Sequence, residues 1–161
     1  MAEKIRKKMM AVIIVLAMVI SLIPAMTLTA SAADGEPDII YVNEAAPGSA
    51  DGSSWDNAYT TLQAALAAAG DGHQIWVATG TYYPTDSGDR SISFQMKNGV
   101  AIYGGFAGNE DPSEFNLDDR NFTVNETILS GDIGTPGDDS DNSYHVIKNS
   151  GLGSTAALNG F

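Results

Sequence analysis

The chain contains no cysteine and few basic residues, and both shortages limit what the protein can be. Without cysteine there are no disulfides, so an exported chain must be stabilised by packing, backbone hydrogen bonds or bound metal. Its 161 residues include eight Lys and Arg against twenty Asp and Glu, a net charge of −12. This balance argues against a nucleic-acid partner and leaves divalent cations as plausible ligands.

Half of the basic residues lie in the first eight positions, namely Lys4, Arg6, Lys7 and Lys8. An apolar run follows from Met9 to Ile23, and Ala30 with Ala32 fits the small-residue rule for signal peptidase. We therefore predict a secretory signal peptide over residues 1–32 and a flexible leader over 33–38. The alternative is an uncleaved membrane anchor, because the charge-free segment Met9–Met26 is near the lower length limit for spanning a bilayer.

Cleavage after Ala32 would make the remaining chain more acidic. The signal segment carries four basic residues and one acidic residue, so 4 basic and 19 acidic residues would remain, with a net charge of −15. Such a charge favours solubility and repels other polyanions. The predicted location is extracellular or on a cell surface, with membrane contact only through the signal segment before cleavage.

Most of the remaining chain is predicted to be β structure. β-Branched, aromatic and alternating apolar residues indicate short strands, at Ile39–Val42, Ile75–Ala78, Thr81–Tyr83, Ser91–Met96, Val100–Phe106, Thr127–Ser130, Tyr144–Ile147 and Ala156–Phe161. One amphipathic helix is predicted over Ala58–Ala69, capped by Asp56 or Asn57 and ended by a left-handed Gly70.

Two of the strand segments repeat one pattern. Aligning Gly80 with Gly105 places Ile75 over Val100 and Val77 over Ile102, a period of 25 residues. This period suits one turn of a solenoid. The helix would cover the exposed first turn, and a long excursion over residues 107–126 would interrupt the second.

Several stretches resemble secreted bacterial right-handed parallel β-helix proteins of the pectin lyase fold. They are Ile40–Asn43, Asp51–Trp55, Leu62–Leu66, Ile75–Pro84, Phe94–Gly108 and Thr127–Asp132 with Tyr144–Val146. The resemblance implies an all-β, right-handed parallel β-helix over residues 39–161, with an N-terminal capping helix and two to three coils. It also implies that further coils are missing, so that the chain looks truncated.

An acidic, glycine-rich loop is the candidate metal site. Asp132, Asp138, Asp139 and Asp141 are interleaved with Gly131, Gly134, Gly137 and Asn142. Calcium takes six to eight oxygen ligands on flexible loops, which carboxylates and glycine carbonyls supply. The spacing matches neither an EF-hand nor a glycine-aspartate repeat, so a solvated loop without metal is the alternative.

Other polar groups give weaker signals. Asp118, Asp119 and Arg120 could serve in glycoside cleavage, but adjacent loop residues are typical of a surface ion pair. His73 and His145 have no second histidine at metal-ligand spacing. The aromatic residues could stack on sugars or pack in the core. They are Tyr41, Trp55, Tyr59, Trp76, Tyr82, Tyr83 and Tyr103.

The sequence favours a non-catalytic, secreted or cell-surface β-helix segment with a structural, adhesive or glycan-contact role. No catalytic or cofactor-binding residue is assigned, calcium is the one candidate cofactor, and an open strand edge could support self-association. The alternative is the N-terminal part of a polysaccharide lyase or glycoside hydrolase whose catalytic coils lie elsewhere.

Overall fold

The computed structural model describes residues 38–161. The predicted signal peptide and all of the predicted leader except Asp38 lie outside the described residues. Six strands and one α-helix are present, in the order β1 (Ile39–Val42), α1 (Leu62–Ala68), β2 (Gln74–Ala78), β3 (Gly80–Tyr82), β4 (Ala101–Phe106), β5 (Thr127–Leu129) and β6 (Ala157–Asn159). A short 3-10 helix spans Leu117–Asp119.

All strand pairing among these residues is parallel. One sheet has the strand order β1-β2-β4-β6, and β3 pairs with β5 in a second sheet. The register places equivalent residues side by side across the larger sheet. Its central rows are Ile40, Ile75, Ile102 and Leu158, then Tyr41, Trp76, Tyr103 and Asn159.

The larger sheet is covered on both faces, which explains its almost continuous apolar strands. Because successive side chains point to opposite faces, Ile75 and Val77 enter the main core with Leu62 and Leu66 of α1. Trp76 between them enters a second, aromatic cluster. That cluster contains Tyr41, Ala58 and Phe106, with Trp55, Phe115 and Leu117 packed against it.

Helix α1 is shorter than the sequence predicts. It begins at Leu62, where the N-cap Thr61 Oγ1 accepts a hydrogen bond from Ala64 N at 3.3 Å. The predicted first turn is extended instead, because Tyr59 forms a bridge with Val42 and exchanges backbone hydrogen bonds with β1. The predicted caps Asp56 and Asn57 are therefore wrong. Tertiary pairing overrides the helical pattern here.

The helix ends without the predicted left-handed glycine. Ala69 is extended, and Gly70 is not among the residues with positive φ. The last carbonyl groups are satisfied by a distant side chain, since Lys97 Nζ donates to Ala69 O at 2.8 Å. Gly70 N donates to His73 Nδ1 at 2.9 Å. A lysine near a helix C-terminus also complements the helix dipole.

The predicted 25-residue register is wrong by two residues. In the larger sheet Ile75 pairs with Ile102 rather than Val100, a 27-residue offset. Gly80 lies in the second sheet, where it pairs with Thr127 rather than Gly105. A two-residue shift keeps every side chain on the same face, so the hydrophobic pattern alone could not distinguish the two registers. The register then shifts once more between Trp76 and Ala78, which pairs with Phe106.

The predicted right-handed parallel β-helix is also wrong. Six strands form two separate parallel sheets without a closed solenoid, and with α1 packed on β1 and β2 the domain is a small α/β-like one. A solenoid needs a continuous ladder on each side of every coil. On the predicted third side, Ser91–Met96 and Tyr144–Ile147 contribute only the isolated bridge between Phe94 and Ile147.

Candidate functional site

A cleft of about 770 Å³ lies beside β3. One side is formed by Thr60, Thr61 and Gln63 at the start of α1, and another by Asp132, Ile133, Gly134 and Pro136 of the acidic loop. The segment from Thr81 to Asp86 lies between them, and Glu44 and Ile92 complete the lining. The lining thus combines hydroxyl groups, two tyrosine rings, apolar side chains and three carboxylates.

Two adjacent tyrosines show how β3 builds this cleft. Tyr82 is only 2 % exposed, and its hydroxyl donates to Ala78 O at 3.0 Å. Burial, reinforced by the nearby Glu44 charge, raises the pKa of Tyr82 well above its ordinary value. Tyr83 is 44 % exposed. Tyr82 therefore anchors the strand, and the side chain of Tyr83 is accessible at the cleft.

Gly80 allows the carboxylate of Glu44 to approach β3. Its φ of +146° lies in a region that side-chain-bearing residues rarely adopt. A Cβ at this position would be 2.8 Å from Glu44 Oε1. The glycine that the sequence marks as a corner thus also brings an acidic group to the cleft.

The acidic loop is held by its own backbone. Gly137 N donates to Asp132 Oδ2 at 2.9 Å, and Thr135 N donates to Asp141 Oδ2 at 2.7 Å. Ser143 N donates to Gly131 O at 2.8 Å. These bonds bring the two ends of the loop together, so that Asp132 and Asp141 lie on facing arms.

The four predicted metal ligands are not all brought to one point. Asp138 is exposed and accepts a hydrogen bond from Ser140 N at 2.9 Å, and Asp139 is exposed. Within residues 38–161, no group of three or more His, Cys, Asp or Glu side chains is arranged to hold a metal ion. Calcium binding at the predicted set remains a prediction.

A different group of oxygens in the same loop is buried without partners. They are Asp132 Oδ1, Asp141 Oδ1, Asn142 Oδ1 and Ser143 Oγ. They are the buried side-chain polar atoms of residues 38–161 that lack a hydrogen-bond partner. Buried polar atoms are normally hydrogen-bonded, so four orphans in one loop require a physical reason.

Aspartate followed two residues later by serine is a recurrent turn in this chain. In four such triplets the aspartate accepts a hydrogen bond from the serine N–H at 2.9 to 3.0 Å. The aspartates are Asp51, Asp89, Asp111 and Asp138. Hydrogen bonds from the serine side chain and then from its backbone lower the pKa of each.

The Asp118, Asp119 and Arg120 segment has a structural role. Arg120 Nε donates to Leu117 O at 2.7 Å, Nη1 to Gly104 O at 3.0 Å and Nη2 to Asn159 Oδ1 at 2.8 Å. The predicted surface ion pair is absent, since the one salt bridge among residues 38–161 joins His73 to Asp38. Both aspartates are exposed.

The remaining candidates are mostly structural as well. His73 Nε2 lies 3.3 Å from Asp38 Oδ2, and His145 is exposed. Trp76 is 3 % exposed and stacks on Phe106, with ring centroids 4.6 Å apart. The aromatic residues on this face of the sheet therefore pack together, and Tyr83 is the candidate that lies exposed in the cleft.

No protein-family model, curated protein or solved structure matches this chain. The resemblance to β-helix proteins therefore rests on the quoted sequence stretches alone. Within residues 38–161, no helix has the length and apolarity that a membrane crossing requires.

Sequence reasoning missed the cleft because five separated segments of the chain build it. Thr60 and Pro136 are 76 positions apart, yet both line it. The local signal was the Tyr82-Tyr83 pair, since adjacent strand residues face opposite ways and one of them must leave the core. Ser143 was not singled out from the sequence, and Asn142 was noted in the acidic cluster but not chosen as a ligand, because only charged side chains were chosen.

Proposed function

We propose that this chain is a non-catalytic, extracellular or cell-surface protein whose cleft contacts a glycan. The observation that carries the proposal is the composition of the cleft, in which the exposed ring of Tyr83 stands among threonine hydroxyls and carboxylates. Tyrosine rings provide a flat apolar surface with a polar end, and sugar rings present apolar faces with polar rims. The volume of about 770 Å³ is within the range of small-molecule sites.

Charge narrows the class of glycan. The lining contains Glu44, Asp86 and Asp132 but no lysine or arginine, and the whole chain has a net charge of −12. Polyanionic sugars such as polygalacturonate would be repelled by this surface. Neutral or amino-substituted glycans are therefore the proposed ligands, and extracellular location is supported by the predicted signal peptide.

Replacing Tyr83 tests the proposal directly. Tyr83→Ala removes the exposed ring, so affinity for the bound glycan should fall about tenfold, since an aromatic contact contributes on the order of 1 kcal/mol or more. Titration calorimetry with cello-, xylo- and chitosan oligosaccharides on the full chain would measure this loss. Phe161→Ala is a matched control because Phe161 is 41 % exposed and lies outside the cleft.

The same experiment distinguishes binding from catalysis. No release of reducing ends or unsaturated sugars is expected during incubation. Reproducible release that depends on Glu44 or Asp132 would favour the alternative, a glycan-cleaving enzyme, because both carboxylates line the cleft. Absence of binding to every neutral and amino-substituted glycan tried, or equal loss in Phe161→Ala, would contradict the proposal.

A further inference from the structure

The two arms of the acidic loop meet in a narrow segment, here called the loop neck, formed by residues 131–135 and 141–143. Ser143 is tied to Gly131, and the Asp141 carboxylate is tied to Thr135 and lies against Gly134. A Cβ on Gly134 would overlap the Asp141 carboxylate. The neck is therefore built around close approach of Asp141 to the opposite arm, which also carries Asp132.

The four unpartnered oxygens all belong to this neck. Asp132 Oδ1, Asp141 Oδ1, Asn142 Oδ1 and Ser143 Oγ have almost no solvent-accessible surface, although their residues are only partly buried. Two carboxylate oxygens and one amide oxygen can only accept hydrogen bonds. Burying such acceptors without a donor is costly, so the geometry calls for a positively charged or donating occupant.

The neighbouring turns show that this arrangement is particular to the neck. Asp141-Asn142-Ser143 is the fifth aspartate-x-serine triplet in the described chain, and in the other four the aspartate accepts from the serine N–H. Here Ser143 N donates to Gly131 O instead, and Asp141 Oδ1 and Ser143 Oγ are left without partners. The same residue types thus form self-satisfied turns elsewhere and unsatisfied acceptors here.

Within residues 38–161, no lysine or arginine side chain donates a hydrogen bond to these four oxygens. Arg90 lies beside the loop, but its Nε donates to the backbone carbonyl of Asn142 and its guanidinium stacks on Tyr144 at 4.5 Å. No ion pair joins a lysine or arginine of this region to Asp132 or Asp141. Two carboxylates and two neutral oxygens suit a hard divalent cation, whose remaining ligands are waters or carbonyl groups.

We propose that Asp132, Asp141, Asn142 and Ser143 form a binding site for a hard divalent cation, with calcium as the fitting ion. Asp138 and Asp139 of the set predicted from sequence are not ligands in this proposal. The site stands independently of the proposed glycan contact, although Asp132, Ile133 and Gly134 belong to both the neck and the cleft wall.

Calcium titration of the full chain tests the site without using any glycan. We expect heat of binding by calorimetry and a melting temperature that rises with calcium relative to chelator. Asp132→Asn and Asp141→Asn should each weaken calcium affinity by more than about tenfold, because even outer partners of metal sites contribute that much. Asn142→Ala and Ser143→Ala are milder variants that should weaken binding in the same direction.

Asp138→Asn and Asp139→Asn are the matched controls, since they remove the same charge from the same loop. Both should keep calcium affinity within a factor of about two to three of the unaltered chain. If neither calcium nor magnesium raises the melting temperature, the proposal is overturned. The neck oxygens would then be hydrogen-bonded to water. Binding that survives Asp132→Asn and Asp141→Asn, or that is lost equally in the control variants, would overturn the ligand assignment.

Discussion

At the scale of single residues, the side chain of Arg120 links three separate elements of the fold. Its guanidinium bonds to β4 at Gly104, to β6 at Asn159 and to the 3-10 helix at Leu117. It also lies over the rings of Tyr103 and Phe122, at 5.0 and 5.1 Å from their centroids. Arginine provides several donors in a fixed planar arrangement, which explains this use.

Removing this guanidinium should destabilise the domain. Arg120→Ala breaks three charged hydrogen bonds to backbone and amide oxygens, so the free energy of unfolding should fall by about 2–3 kcal/mol. Urea denaturation followed by tryptophan fluorescence would measure the change. Lys148→Ala removes the same charge from an exposed residue and should change stability by less than about 0.5 kcal/mol. Equal effects of the two variants would mean that Arg120 acts through net charge alone.

At the scale of secondary-structure elements, β6 leaves one edge of the larger sheet open. Among the described strands it pairs only with β4. Ala157 N donates to Val100 O, and the polar groups of alternate residues point to opposite sides of a strand. The N–H and C=O of Leu158 therefore point to the open edge, where a second copy could add a strand.

We expect self-association through this edge. Leu158→Pro removes the outward N–H without removing a ladder hydrogen bond to β4, so it should reduce concentration-dependent dimerisation. Sedimentation velocity over a wide range of protein concentration would measure the change. Leu158→Ala is the control because it loses the same core packing but keeps the N–H. Monodisperse monomer in the unaltered chain, or equal loss in both variants, would argue against the edge as the interface.

The strands show how much of the secondary structure can be predicted from local sequence. Gln74–Ala78, Gly80–Tyr82 and Ala157–Asn159 are strands within one or two residues of the predicted positions. In the first two, β-branched and aromatic residues lie on either side of Gly80. Ser91–Met96 and Tyr144–Ile147 have similar patterns but form one bridge. Apolar alternation therefore predicts which face of a segment is buried, whereas ladder formation depends on partners distant in sequence.

The candidate site was less predictable than the strands. Composition drew attention to the loop around Asp132 and Asp141. The unpartnered acceptors of Asn142 and Ser143 depend instead on which backbone N–H each aspartate meets. Ser143 N turns to Gly131 O through a contact across the loop. No rule based on residue spacing predicts that choice, since in the four other triplets with the same aspartate and serine spacing the serine N–H bonds to the aspartate.

At the scale of the whole molecule, the excess of carboxylates makes stability depend on pH. The pKa values of Asp51, Asp89, Asp111 and Asp138 lie below the ordinary 3.8 because serine hydrogen bonds favour the charged form. A pKa that is lower in the folded state than in the unfolded state contributes stability above pH 3.8. That contribution is lost as the pH falls through the folded-state values.

The melting temperature should therefore decrease between pH 5 and pH 2, roughly the range over which such carboxylates are protonated. Replacing all four aspartates by asparagine should flatten this decrease, because asparagine keeps the turn acceptor without titrating. The fourfold control replaces exposed aspartates outside these turns, at Asp56, Asp86, Asp118 and Asp119. Equal flattening by both sets would show that general charge repulsion, rather than the turns, governs the acid transition.

The wholly parallel pairing also determines the order in which the chain can fold during synthesis. Paired strands are never adjacent hairpin arms, and Ala101 of β4 meets Ala157 of β6 only after 56 further residues have been made. Until then the backbone groups along one edge of β4 are unpaired. Those of β3 are likewise unpaired until β5 has been synthesised. Long sequence separations slow folding and prolong exposure of such edges. We therefore expect a nascent chain to be most prone to association while the residues between β4 and β6 are being synthesised.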